Sequence, residues 1–184
     1  MEIFQSLRIQ WHERGLQKEL KAKPRKHQSI NYDQASQVGL LFDGTELKIR
    51  DAVLKYADNL KKKGKKVKLL AYIDNKLDNA EFAFDTFSKK DLDWLYRPTK
   101  SKKVEAFIRK EFDLLMSLDL NERLPLQYIA AKSAARFRVG PITNNLDCFE
   151  LMIDLGKQRD ISRLTQQIGI YLNKMDSTHG AATF

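Results

Sequence analysis

Apolar residues along the chain fall into two alternating patterns: short dense runs, and longer stretches in which they recur every three or four positions. Val38 to Phe42 is the first dense run and predicts a buried strand. Ile49, Ala52, Val53, Tyr56, Ala57 and Leu60 then share one helix face until Gly64 supplies a stop. A second strand is expected at Val67 to Ile73. Val104, Phe107 and Ile108 mark a short helix, Phe112 to Leu118 a third strand, and Leu124, Tyr128, Ala131 and Ala135 a further helix. A brief fourth strand is expected at Phe137 to Val139 and a last one at Leu151 to Leu155. Ile161, Leu164, Ile168, Tyr171 and Leu172 line a closing helix. Ahead of all these, Ile3, Phe4, Leu7 and Trp11 recur at helical spacing, and Leu16 and Leu20 continue less regularly. Residues 1 to 20 therefore predict an amphipathic helix, an appendage to the main domain.

Strands alternating with helices of this length predict an α/β fold: a three-layer, Rossmann-like or flavodoxin-like domain with a mostly parallel sheet and right-handed crossovers. The expected organisation is an amino-terminal helix and basic arm over 1–30, a single α/β domain over 31–175, and a flexible tail over 176–184. At 75–99 the alternation breaks and an aromatic insertion appears, holding Phe82, Phe84, Phe87, Trp94 and Tyr96. Ser88 followed by Asp91 predicts a capped helical turn there. Interleaving with Lys89, Lys90 and Arg97 resembles the mixtures on which bases stack. A satellite core over the sheet is the plainer expectation, with Leu92 and Trp94 pointing inward.

Composition narrows the function classes. The chain has 184 residues with a formal charge of +9, a bias toward polyanionic partners such as RNA or anionic lipid. A single cysteine, Cys148, excludes an intrachain disulfide and suits a reducing compartment, so a cytoplasmic location is expected. No run approaches the roughly 18 apolar residues of a membrane span, and no signal peptide is apparent. Neither GxGxxG nor GxxxxGK[ST] occurs, so nucleotide binding in the usual manner is disfavoured. His12, His27 and His179 are scattered, which argues against zinc, and no nucleophile triad is found. No catalytic residue, cofactor or metal ligand is assigned.

Position then gives the charges meaning. Asp43, Asp74, Asp119 and Asp154 each close an apolar run, so a parallel sheet would set them along its carboxyl edge, where α/β proteins bind ligands. Clustered carboxylates could hold a divalent cation. Capping of the following helices is the stronger reading, with Asp43 as an N-cap and Glu46 three residues on. The basic residues precede strands instead: the Lys18 to Lys26 connector, Lys61, Lys62, Lys63, Lys65 and Lys66, Arg109 and Lys110, and Arg136 and Arg138. A parallel sheet puts them at the opposite edge, and the molecule is expected to be electrically polarised.

Three resemblances bear on function. Leu40 to Thr45 reads LLFDGT, which resembles the first motif of haloacid-dehalogenase-type phosphatases, but Leu41 stands where those enzymes carry the nucleophilic aspartate. The stretches KKVKLLAYID, FSKKDLDWLYRP, EFDLLMSLDLNERLPLQYIAAKSAARFRVG and LMIDLG, within residues 5 to 175, resemble a family of small uncharacterised proteins found widely in Bacteroidota. That family brings no activity to carry over. Glu111 to Gly140 is also similar to the amino-terminal half of heptosyltransferase-type glycosyltransferases, whose donor-binding residues lie in a second domain for which this chain has no room.

The expectation drawn from the sequence is a non-enzymatic protein that associates with RNA or a ribosomal particle. Lys23, Arg25, Lys26, Lys61, Lys62, Lys65 and Lys66 would contact backbone phosphates. The competing expectation is a degenerate or partner-dependent sugar-nucleotide-binding half-domain with its pocket at Asp43, Asp74 and Asp119. A third is attachment to a membrane surface or a protein partner through Phe4, Leu7 and Trp11 on the first helix, although docking of that stripe onto the domain itself, or onto a second copy of it, is the plainer expectation.

Overall fold

A computed structural model describes residues 2–22, 30, 32–74, 82–143 and 148–180. In chain order the elements are helix α1 (Glu2–Ala22), strand β1 (Gln37–Asp43), helix α2 (Leu47–Lys62), strands β2 (Lys66–Ile73) and β3 (Asp85–Ser88), and a single 3-10 turn at Lys89–Asp91. Helix α3 (Lys102–Arg109), strand β4 (Leu114–Leu118), helix α4 (Leu124–Lys132), strands β5 (Phe137–Pro141) and β6 (Leu151–Ile153) and helix α5 (Ile161–Gly180) follow. The strands form one sheet in the order β3-β2-β1-β4-β5-β6, every neighbouring pair parallel. That order, with its reversal between β1 and β4, is Rossmann-like rather than flavodoxin-like.

Strand alternation divides the interior into two cores. Leu40 and Phe42 of β1, Ala71 and Ile73 of β2 and Met116 and Leu118 of β4 face α2 and α5. Leu41, Leu70, Tyr72 and Leu115 face the other way, toward α1, α3 and α4. Gly39 in β1 lets Phe112 lie across the strand, since a Cβ there would meet the Phe112 ring at 2.9 Å. Gly64, at φ +82°, reverses the chain between α2 and β2 as its sequence position suggested.

Three expectations change. A strand at Asp85–Ser88 was not anticipated; it pairs with β2 at the sheet edge, and part of the aromatic insertion is therefore sheet. The predicted cap is present, with Ser88 and Asp91 satisfying each other's backbone amides. Trp94 points outward, 56% exposed, because the chain after the 3-10 turn folds back over α1 and not over the sheet. Helix α5 continues through Gly180, into the stretch expected to be a tail.

Helix α1 is not a free appendage. It packs on α4, with Leu16 in the second core beside the partly buried Leu20. His12 is buried, 3% exposed, and its Nδ1–H donates to the Leu95 carbonyl at 2.6 Å. Glu19 binds Lys132 Nζ at 2.7 Å. Phe4, Leu7 and Trp11, the stripe that drew attention in the sequence, remain exposed, with Trp11 against the edge of Trp94. Among the described residues, no helix is long and apolar enough to cross a membrane.

Candidate functional site

Parallel strands bring Asp43, Asp74, Asp119 and Asp154 to the carboxyl edge, as their spacing required. What they do there is set by two residues of the loop after β4. Arg123 Nε donates to Asp43 Oδ2 at 2.8 Å and its Nη1 lies 3.5 Å from Asp74 Oδ2, while Asn121 Nδ2 donates to Asp43 Oδ2 at 3.2 Å. Lys89 Nζ completes the row at 2.7 Å from Asp74 Oδ1. Burial alone would raise the pKa of Asp43, but the hydrogen bonds from Thr45, Arg123 and Asn121 outweigh it and hold the group below the usual carboxylate range. Arg123 is raised in turn: the pull of Asp43 and Asp74 exceeds the cost of its own desolvation.

Asp119 lies beneath this row, 3% exposed, accepting from the backbone amides of Asn121 at 3.0 Å and Arg123 at 2.6 Å. Burial pushes its pKa up to about 6 against those two bonds. Asp119 thus shapes the loop that delivers Arg123. Asp154 is exposed and caps the Gly156 amide. Asp43 is not the N-cap of α2: that position is Glu46, and Asp43 binds the Thr45 amide two residues on instead. The carboxylates at this edge are engaged with internal donors. Among the described residues, no group of three or more His, Cys, Asp or Glu side chains is arranged to hold a metal ion.

Beside the row opens a cleft of about 550 Å³, between the end of β2, the loop after β4, the residues after the 3-10 turn, and α1. Tyr72, Asp74, Lys89, Tyr96, Arg123 and Arg8 all reach it. Arg8 donates from Nε to the Trp94 carbonyl at 2.7 Å and its guanidinium lies over the Tyr96 ring, 4.4 Å from the centroid. Arg123 lies 5.7 Å from the Tyr72 ring centroid. Burial, then the neighbouring Asp74, pushes the Tyr72 hydroxyl up to about 12. Tyr96 at φ 60° and Glu122 at φ 54° both line this cleft; among the described residues they are the non-glycine residues in the left-handed region.

The amino edge is less uniformly basic than its sequence. Lys61, Lys62, Lys63 and Lys66 are exposed around Gly64. Lys65 is not: it is 8% exposed, and its ammonium donates to the carbonyls of Tyr32 at 2.7 Å, Ala35 at 2.8 Å and Asp33 at 3.4 Å. Desolvation lowers its pKa. A lysine consumed by three carbonyls has no donor left for a phosphate, which removes Lys65 from the contact set. Arg138 is also turned inward, paired with Glu150. Arg109 and Arg136 pair with Glu105 and Asp113 at the surface. The expected polarisation is thus reduced at both edges, by Arg123 and Lys89 at one and by these pairs at the other. Lys23, Arg25 and Lys26 lie outside the described residues.

A model of a family of unknown function, DUF6913, matches residues 8–175. The chain belongs to this family. No curated protein matches it. The matched region runs from the α1 segment over the cleft to α5, so both edges of the sheet fall within the family domain.

Sequence reading did not bring Arg123, Asn121, Arg8 or Tyr96 to the carboxyl edge. Arg123 sits 80 residues from Asp43, and nothing in the run Asn121-Glu122-Arg123 marks it as the counterion of a distant strand. Arg8 looked like one more basic residue of an amphipathic helix. A usable signal did exist on α1: His12 and Leu16, four apart, mark the docked side, obscured by the larger side chains of Phe4 and Trp11.

Proposed function

We propose that this protein is a non-enzymatic binding protein that holds RNA, on a ribosome or ribosomal precursor, through the lysine turn between α2 and β2. The observation that carries the reading is the state of Lys62, Lys63 and Lys66. All three are exposed, and none has an ion pair among the described residues. Lys61 adds a fourth charge, since its exposed contact with Asp58 holds it only weakly. Lys18 and Lys21, also exposed, approach the same edge, because Glu19 between them binds Lys132 at the end of α4. Mobile ammonium groups suit phosphate contacts without base readout.

The test is fluorescence anisotropy of a single-stranded RNA oligonucleotide titrated over a range of salt. Charge reversal at Lys62, Lys63 and Lys66 is expected to weaken binding at least about ten-fold at low salt. It should also flatten the log–log salt dependence by about 2, near 0.7 for each lost contact. Thermal stability should stay nearly constant. Retention of RNA by the triple variant overturns the assignment.

A second reading, a sugar-nucleotide-binding half-domain, is supported by the β4–α4–β5 unit, which spans the stretch similar to heptosyltransferase-type enzymes, and by the cleft at the carboxyl edge. A thermal-shift screen with nucleotide sugars and Mg²⁺ separates the two, since a ligand that binds only the folded state raises Tm. No shift with any of them counts against it.

A further inference from the structure

We propose that the cleft beneath α1 binds a small organic anion, a phosphate monoester or carboxylate on an apolar body, with Arg8 receiving the anionic group. The inference does not depend on RNA binding at the opposite edge.

Charge pairing around the cleft identifies the ligand's sign. Of its acidic residues, Asp74 is held by Arg123 and Lys89, Asp93 by Arg97 at 2.7 Å, and Glu122 by Arg159 at 3.3 Å. Asp43, just behind, is held by Arg123. Each of these four carboxylates thus has a cation within 3.5 Å. Arg8 stands apart: among the described residues it makes one hydrogen bond, from Nε to the Trp94 carbonyl, and has no carboxylate partner. Its Nη edge is left to bind, and the Tyr96 ring under the guanidinium fixes that plane. Arg8 is thus the lining cation with no carboxylate partner among the described residues, and it is left to receive an anionic group.

Shape and position agree with a small ligand. A volume of about 550 Å³ lies in the range of small-molecule sites. The walls include Ile9, Leu92, Leu124 and Pro125, an apolar surface for the ligand's body. The cleft flanks the carboxyl ends of β2 and β1, next to the reversal of strand order between β1 and β4, where open α/β sheets bind ligands. Tyr96 and Glu122 carry left-handed backbone, a strained conformation that concentrates at ligand-binding positions. Two such residues from separate loops meet in this one cleft.

The protein contains its own reporter. Its two tryptophans, Trp11 and Trp94, make an edge contact at 5.7 Å, and Arg8 is bonded to the backbone of one of them. Full-length protein would be titrated with phenyl phosphate and with benzoate while tryptophan emission is followed, and binding confirmed by calorimetry. Inorganic phosphate and uncharged benzamide serve as partial probes. Saturable binding of phenyl phosphate or benzoate is expected, tighter than that of either partial probe. Arg8→Gln should weaken it roughly ten- to hundred-fold, the loss typical of a hydrogen bond to a charged group.

Since Arg8→Gln could also loosen α1, two further variants separate the causes. Lys89→Gln changes the cleft from an element other than α1 and is expected to weaken binding at least about three-fold. Glu19→Gln weakens the far end of α1 from outside the cleft lining, where Glu19 meets Lys132 and, at 4.0 Å, Arg97, and should leave affinity within about two-fold. Absence of saturable binding at millimolar phenyl phosphate and benzoate overturns the proposal. So does binding that survives both Arg8→Gln and Lys89→Gln. Charge reversal at Lys62, Lys63 and Lys66 should leave this binding unchanged, so failure here and failure of the RNA reading are distinguishable.

Discussion

At the carboxyl edge of the sheet, Arg123 reaches between Asp43 and Asp74 and Lys89 closes the row, whereas at the amino edge Lys62, Lys63 and Lys66 stand in solvent with no ion pair among the described residues. The first arrangement strings charges of opposite sign outward from the buried Asp43, through the half-buried Arg123 and Asp74 to the exposed Lys89, where each fixes the next. The second leaves like charges in water, where repulsion is screened and each stays available to a partner. Lys65 shows that location, not residue type, decides between the two. It lies within the same lysine run yet is buried against three backbone carbonyls. Charge that supports the fold thus predominates at the carboxyl edge and charge open to a partner at the amino edge, with Lys65 and Arg138 as exceptions at the amino edge and Arg8, over the cleft, at the carboxyl edge.

The comparison can be broken most directly at Arg123. Arg123→Ala leaves Asp43, 2% exposed, with only its hydrogen bonds from Thr45 and Asn121 and no cation, and should cost about 3 kcal/mol in urea denaturation. A cost near zero would mean that the row is ordinary surface charge.

Asp119 gives the next largest effect, and it depends on pH. Its folded pKa of about 6 lies above the ordinary value of 3.8, so folding favours the protonated acid. Stability from this group is full below about pH 4, falls as pH rises through 6, and is level above, a loss on the order of 2 kcal/mol. Denaturation midpoints at pH 4 and pH 7 would show it. Asp119→Asn should remove that slope whatever it does to absolute stability.

Lys65→Ala against Lys66→Ala sharpens the contrast within one turn. The first strands the carbonyls of Tyr32 and Ala35 and should cost about 1–2 kcal/mol; the second should stay within about 0.5 kcal/mol. Equal effects from the two would erase the distinction between the buried lysine and the exposed ones.

The central strands were legible because β1, β2 and β4 are buried on both faces and so read as continuous apolar runs. The helices α2 and α5 showed their periodicity for the complementary reason, with one face in the core and one in water. Strand β3, Asp-Thr-Phe-Ser, was illegible: it is short, lies at the sheet edge, and buries little beyond Phe87. The docked side of α1 was misread because His12 and Leu16 are smaller than the outward Phe4 and Trp11, so apolar bulk pointed away from the contact.

Local pattern by itself determined that this chain forms a parallel α/β sheet, that its aspartates gather at one edge, and that lysines crowd the turn around Gly64. Those features follow from periodicity and strand direction, which are properties of neighbouring residues. Only the tertiary structure decided that Arg123 neutralises Asp43 and Asp74, that Lys65 is spent on carbonyls while Lys66 is not, and that α1 lays Arg8 over a cleft next to the β1–β4 reversal. Each depends on groups tens of residues apart meeting in space, and on how much water is left around them when they do.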